Sequence, residues 1–157
     1  MSMLAALMLI QAACPAAAEP VPPALAGWTA GSPVSAAADA GTAPAAPIGK
    51  PVEVALHPAA HLKLRAPPAR AAAADSHGGI VAIDVARAGR YRVVLSNASW
   101  IELVSNDRAV ASTGHGHGPR CSGMRKIVDF DLPAGRHLIQ LSGSGDATIR
   151  LMVVPGA

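Results

Sequence analysis

The chain is predicted to fold as an all-β, antiparallel β-sandwich of about eight strands. Three observations carry that prediction. From about Val52 onward, short runs of branched apolar residues recur between Gly, Pro, Asn or Asp turns. Several of those runs alternate apolar and polar residues with period two. The single helix-like stretch, Pro67 to Ala74, offers alanines after a proline start but no apolar bulk to hold it against a core.

The candidate strands are Val52–Leu56, Leu62–Arg65, Ile80–Val85, Tyr91–Ser96, Trp100–Ser105, Ala109–Ser112, Ile127–Leu132, His137–Ser142 and Thr148–Val154. Alternation assigns their faces. Val128, Phe130 and Leu132 should point inward, with Ile127, Asp129 and Asp131 outward. Ile149, Leu151 and Val153 should oppose Thr148, Arg150 and Met152, and Tyr91, Val93 and Leu95 should share one face. Aromatics are scarce, being Trp28, Tyr91, Trp100 and Phe130. Val, Ile, Leu and Ala must therefore build the core. Two segments are alike: Ala88-Gly89-Arg90-Tyr91-Arg92-Val93-Val94-Leu95-Ser96 and Ala134-Gly135-Arg136-His137-Leu138-Ile139-Gln140-Leu141-Ser142. Two copies do not make a repeat protein. They read as equivalent strands, one in each sheet.

The organisation divides into three. Residues 1–18 read as an export signal: Leu4 to Ala13 is a short apolar run, and Ala16-Ala17-Ala18 supplies small residues for cleavage before Glu19. The run is too short to span a bilayer, and no Lys or Arg precedes it. A second reading takes Gln11-Ala12-Ala13-Cys14 as a lipoprotein site acylated at Cys14, although Gln11 stands where an apolar residue is expected. Residues 19–50 are rich in Ala and Pro and nearly free of large apolar side chains, so a disordered linker is expected, with Trp28 its one sticky residue. Residues 51–157 form the sandwich domain. A periplasmic or secreted location follows. Either processing event leaves Cys121 without an internal partner. Its thiol should then pair with another chain as a disulfide dimer, bind something, or be buried.

Thirteen basic and ten acidic residues leave a formal charge of +3. The basic residues do not cluster on one element, and no aromatics interleave with them, which excludes a nucleic-acid binder. Catalytic signatures are missing too. There is no Gly-x-Ser-x-Gly elbow, His-Glu-x-x-His pair, phosphate loop or dinucleotide fingerprint. Asp129 and Asp131 share the outer face of one strand, where exposed acids keep an edge soluble. Asn97-Ala98-Ser99 turns the chain before Trp100. Asp75-Ser76-His77 reads as a turn, and His57 and His61 as solvated loop residues.

The densest chemistry lies in Gly114-His115-Gly116-His117-Gly118-Pro119-Arg120-Cys121-Ser122-Gly123-Met124. A His-x-His pair on extended backbone puts both rings on one side. Imidazole and thiolate suit zinc and copper, and sulfur favours Cu(I). His115, His117 and Cys121 could share one ion, with Met124 or the remote His137 completing the set. The competing reading is a flexible hairpin loop with solvated histidines and a tucked-in Cys121. Cys121 with His115 or His117 could also make a nucleophile–base pair, but a glycine-rich loop would hold it poorly and no orienting third group is evident.

The stretch from Gly79 to Val154 resembles the jelly-roll-like domains found beside secreted bacterial peptidases, the pre-peptidase C-terminal type. The residues that carry the likeness are Ala88 to Leu95 and Leu132-Pro133-Ala134-Gly135-Arg136-His137-Leu138-Ile139-Gln140-Leu141-Ser142-Gly143. The resemblance covers about half the chain and implies a non-catalytic β-sandwich. The family's acidic strand is replaced by Trp100-Ile101-Glu102-Leu103-Val104, which leaves its calcium role without support here. The chain also resembles short exported proteobacterial proteins that share the Trp-Ile-x-x-Val strand and the His-Gly-His-Gly-Pro-x-Cys loop. Some of those carry the name homogentisate dioxygenase, a much larger cytosolic enzyme whose iron is held by two histidines and a carboxylate. That pattern is not reproduced here.

Three functions are therefore expected in order. The first is an exported, non-enzymatic protein binding copper or zinc through His115, His117, Cys121 and His137. The second is a protein- or glycan-interaction module with Trp100 as contact surface. The last is a metal-dependent dioxygenase.

Overall fold

The computed structural model of the chain describes Cys14 and residues 19–156. The signal-like run before Cys14 and the alanines of the cleavage site lie outside the described residues. In chain order the strands are β1 (Ser32–Ser35), β2 (Val52–Ala55), β3 (His57–Pro58), β4 (His77–Val85), β5 (Gly89–Leu95), β6 (Trp100–Ser105), β7 (Arg108–Val110), β8 (Gly114–Gly116), β9 (Lys126–Leu132), β10 (Gly135–Ser144) and β11 (Thr148–Pro155). Among the described residues the only helices are three short 3₁₀ turns, Pro23–Leu25, Ala40–Thr42 and Ala59–His61.

These strands form two sheets, one in the order β1-β2-β11-β5-β9-β8 and one in the order β3-β4-β10-β6-β7. Every named strand pair is antiparallel except β1 with β2. With the edge strands β1, β3 and β8 set aside, eight remain. They run first–eighth–third–sixth in one sheet and second–seventh–fourth–fifth in the other. That interleaving is the jelly-roll order.

The core between the sheets contains Val54, Val81, Ile83, Tyr91, Val93, Leu95, Leu103, Phe130, Ile139, Leu141, Ile149, Leu151 and Val153. The alternation of β9 appears as expected. Val128, Phe130 and Leu132 are buried, while Ile127 and Asp129 are half-buried and Asp131 is exposed. One expected strand is absent. Leu62–Arg65 forms no strand; Lys63 alone bridges to Asp39. The next residues satisfy their backbone on a side chain instead. The buried Gln140 carboxamide accepts from the N–H groups of Arg65 and Ala66 and donates to the Ala66 carbonyl. The alanines from Ala69 to Ala74 stay outside any helix, because nothing in them packs against the sheet beneath.

Residues 19–50 are the main departure. They are not a disordered linker but a strap laid over the sandwich. Ser32–Ser35 is an edge strand paired with Val52–Ala55. Further on, the strap pairs with the free edge of β4, where Ala37 and Ile80 exchange backbone hydrogen bonds and Ala46 N–H donates to the Ala82 carbonyl. Gly49 N–H donates to Val153. Covering these edges removes unpaired strand groups that would otherwise invite association.

Earlier in the strap, Leu25 and Trp28 are buried on the outer face of the first sheet. They pack there with Val94, Met124, Met152 and Val154. Arg150, ion-paired with Glu53, lies over the Trp28 ring at 5.6 Å. Met152, expected to face solvent, is buried for this reason. The continuous apolar runs Val93-Val94-Leu95 and Leu151-Met152-Val153-Val154 are therefore strands covered on both faces. Such a segment cannot fold alone, yet it can order on a sheet that supplies both hydrogen-bond partners and apolar surface.

Candidate functional site

The histidine-rich loop does not assemble the expected four-residue metal centre. His115 lies in β8 directly opposite Val128, so its side chain shares the face of that inward residue. His117 is exposed, and its Nδ1–H donates to the Arg125 carbonyl at 2.7 Å. Cys121 is bonded to Cys14, 107 residues away. Its sulfur is a half-cystine and not a thiolate. His137 sits in the other sheet, 2 % exposed, with Nε2–H donating to the Pro133 carbonyl at 2.8 Å. Met124 is buried against Leu25 and Trp28. Among the described residues, no group of three His, Cys, Asp or Glu side chains is placed to hold a metal ion.

The disulfide corrects a further expectation. Cys121 does have an internal partner, so the disulfide dimer through Cys121 has no free thiol to form it. The bond requires Cys14 to stay on the chain with its sulfur free of an acyl group. What the loop does instead is anchor the strap. Besides the disulfide, Arg120 N–H donates to the Glu19 carboxylate, and Met124 packs beneath Trp28. Inside the loop, Gly118 N–H donates to the Met124 carbonyl at 3.0 Å. Cysteine pairing was hidden in the sequence because Cys14 lies inside a segment that reads as a cleaved signal.

The other candidates settle into structural roles. Asp129 and Asp131 do not act together. Each is ion-paired across the β5–β9 ladder, Asp129 to Arg92 at 2.8 Å and Asp131 to Arg90 at 3.1 Å. The Arg92 guanidinium bonded to Asp129 holds that carboxyl below its ordinary value, against the opposing effect of burial. Asn97 Oδ1 accepts from the Ser99 N–H and hydroxyl, an Asx turn that redirects the chain into Trp100 as expected. His57 Nε2–H donates to the Ala36 carbonyl and so helps tie down the strap.

Trp100, the expected contact residue, is where chemistry gathers. It opens β6 and is half-buried on the outer face of its sheet, while its neighbours Ile101 and Leu103 enter the core. Its indole N–H donates to Glu102 Oε1 at 2.6 Å. The same carboxylate oxygen accepts the N–H of Ala69 at 2.8 Å and so holds the alanine-rich segment over the sheet. Two cations lie over the ring: Lys126 Nζ at 5.1 Å and Arg70 Cζ at 5.9 Å from its centroid. Lys126 also donates to the carbonyls of Ser99 and Ala98. Burial pulls its ammonium below the usual lysine value, and the Arg70 charge adds to that effect.

Trp100 and Lys126 together wall two open recesses. The larger, about 480 Å³, enters the lateral gap between the sheets and is lined chiefly by Ile101, Val110, Val128 and Phe130, with Glu102 and His115 at its polar margin. The smaller, about 360 Å³, is lined by Arg70, Ala71, Ala72, Ala73, Ala98, Ser142 and Gly143 besides the shared pair. Both volumes fall in the range of small-ligand sites. The sequence pointed to Trp100 but not to Arg70 or Lys126. They lie far apart in the chain and meet only because the start of β9 and the alanine-rich segment converge on one end of the sandwich.

No protein-family model matches this chain, and neither a curated protein nor a solved structure matches it.

Proposed function

We propose that this chain is an exported, non-enzymatic binding domain that meets an extracytoplasmic protein or glycan at Trp100. One observation carries the reading: a half-buried tryptophan forms the shared wall of two open recesses, one apolar and one cationic. Amphipathic aromatics at such borders supply contact area at low entropic cost. The intramolecular disulfide supports an oxidising compartment, where such bonds persist. Nothing at the recesses resembles an activated nucleophile. The candidate thiol is oxidised, and the two aspartates are held by arginines.

Copper or zinc binding loses weight for the same reason. Without the Cys121 thiolate the loop offers His115 and His117, and His117 already commits Nδ1 to a backbone carbonyl.

Trp100→Ala provides the test. The oxidised protein should retain its thermal transition while losing capture of extracytoplasmic proteins and of immobilised glycans. Unchanged capture by the variant would overturn the assignment. Stoichiometric copper or zinc held through His115 and His117 would replace it with the metal reading.

A further inference from the structure

The smaller recess places two cations over one aromatic ring with no acid to balance them. Neither Arg70 nor Lys126 makes an ion pair among the described residues, and no acidic side chain lines the recess. The Glu102 carboxylate is engaged by the Trp100 indole and the Ala69 N–H. It lies on the margin of the other recess.

Holding like charges together costs free energy that a ligand anion would recover. Burial is the larger cause of the lowered Lys126 ammonium, and the neighbouring Arg70 charge adds to it. Arginine offers a planar fork that matches a carboxylate, and lysine a point charge. The remaining walls are the methyl groups of four alanines, one glycine and Ser142. They suit a compact ring body better than a long side chain.

We infer that this recess binds the carboxylate of an acidic sugar, a uronate-type residue of an anionic glycan, between Arg70 and Lys126 and against Trp100. A peptide ligand fits less well because the recess lies over the sheet face where Trp100 of β6 pairs with Ser142 of β10; the unpaired stretch of β6 is on its other side, where β7 pairs only Leu103 to Ser105. An acidic peptide would find no strand edge to extend there. The inference rests on the binding-domain reading of Trp100 and adds the ligand's charge and class to it.

The experiment uses the oxidised full chain and three probes: a short oligogalacturonate, its methyl ester, and a polyglutamate peptide. Trp28 and Trp100 are the only tryptophans, so two indole N–H resonances report binding separately. The oligogalacturonate should shift the Trp100 resonance and leave that of Trp28, which the strap buries against the first sheet. Its methyl ester should shift neither. Arg70→Gln and Lys126→Gln should each weaken binding about tenfold or more, Lys126→Arg should keep it, and added salt should weaken it.

A methyl ester that binds as well as the acid would overturn the anion claim while leaving a Trp100 binding site intact. Binding of polyglutamate without binding of the sugar acid would replace the glycan with an acidic protein. Silence of the Trp100 resonance toward the acid overturns the inference. The separate loss of capture on Trp100→Ala decides whether the broader reading falls with it.

Discussion

Tyr91 and His137 make the same bond in opposite sheets. The Tyr91 hydroxyl donates to the Arg87 carbonyl and His137 Nε2–H to the Pro133 carbonyl, each reaching four residues back and each at 2.8 Å. Each is the third residue of its strand, β5 or β10. The arginines just before them, Arg90 and Arg136, both pair with an aspartate on the antiparallel neighbour, Asp131 and Asp84. Phenol and imidazole serve alike because each presents one donor at the far end of a flat ring. The likeness between the two segments is therefore a shared way of starting a strand at a sandwich corner. It also accounts for His137 without a metal.

Removing these corners should cost stability and nothing else. Tyr91→Phe deletes one hydrogen bond and should lower unfolding free energy by about 1 kcal/mol. His137→Ala leaves a cavity as well as an unpaired Pro133 carbonyl and should cost about 2–4 kcal/mol. Urea unfolding of both variants measures this. A His137→Ala protein with unchanged stability but altered copper or zinc uptake would return His137 to a ligand set.

The Cys14–Cys121 bond closes a loop of 107 residues, so its removal should be costly. A chain-entropy treatment puts the loss near ~4.7 kcal/mol for a loop of about this length. Cys14→Ser and Cys121→Ser should each approach that figure, with similar unfolding midpoints, because either one opens the same loop. The untreated protein should show no reactive thiol and run as a monomer on a non-reducing gel. One titratable thiol per chain, or a dimer that reductant dissolves, would refute the pairing.

How far the sequence reveals the fold differs along the chain, for reasons of surface. In β9 one face meets water, so apolar and polar residues alternate and the strand is legible. In β11 the strap covers the second face, and Met152 becomes apolar packing where alternation predicts exposure. The strap itself was illegible because composition weighs bulk. Ala36, Ala37, Ala43 and Ala46 are all buried, but small residues lying on an existing sheet leave the same compositional trace as a linker. At the site, Trp100 stood out as an isolated aromatic. Arg70 and Lys126 could be found only once the fold had brought them to its ring.

Asp129 supplies an acid-sensitive element with a definite sign. Its folded-state pKa is depressed from 3.8, first by the hydrogen bonds from Arg92, which are 2.8 and 2.9 Å long. The stability this contributes is fully present above the unfolded value and is lost as pH falls through the lower folded one. Asp129→Asn should therefore be less stable than the natural chain at neutral pH, by about 1 kcal/mol or less for a partly exposed pair. It should also lose less on acidification. Unfolding midpoints measured across the acid range check both points, and parallel pH profiles for the two proteins would contradict them.

The loop's glycines divide by what surrounds them, and this separates an anchor from a flexible metal cradle. A Cβ on Gly118 would lie 2.2 Å from the Met124 Cβ and 2.9 Å from its carbonyl oxygen, whereas one on Gly116 would meet nothing within 4 Å. Both glycines flank His117, so a cradle that relied on backbone freedom would suffer from alanine at either position. An anchor would suffer only at Gly118, because the Gly118–Met124 hydrogen bond holds Met124 beneath Trp28. Gly118→Ala should lower stability by about 1–3 kcal/mol, the scale of overpacking. It should also shift the environment of Trp28, read by fluorescence. Gly116→Ala should stay within about 0.5 kcal/mol of the natural chain. Equal losses at the two positions would mean that the loop needs its flexibility and that closeness to Met124 is not what selects glycine at 118.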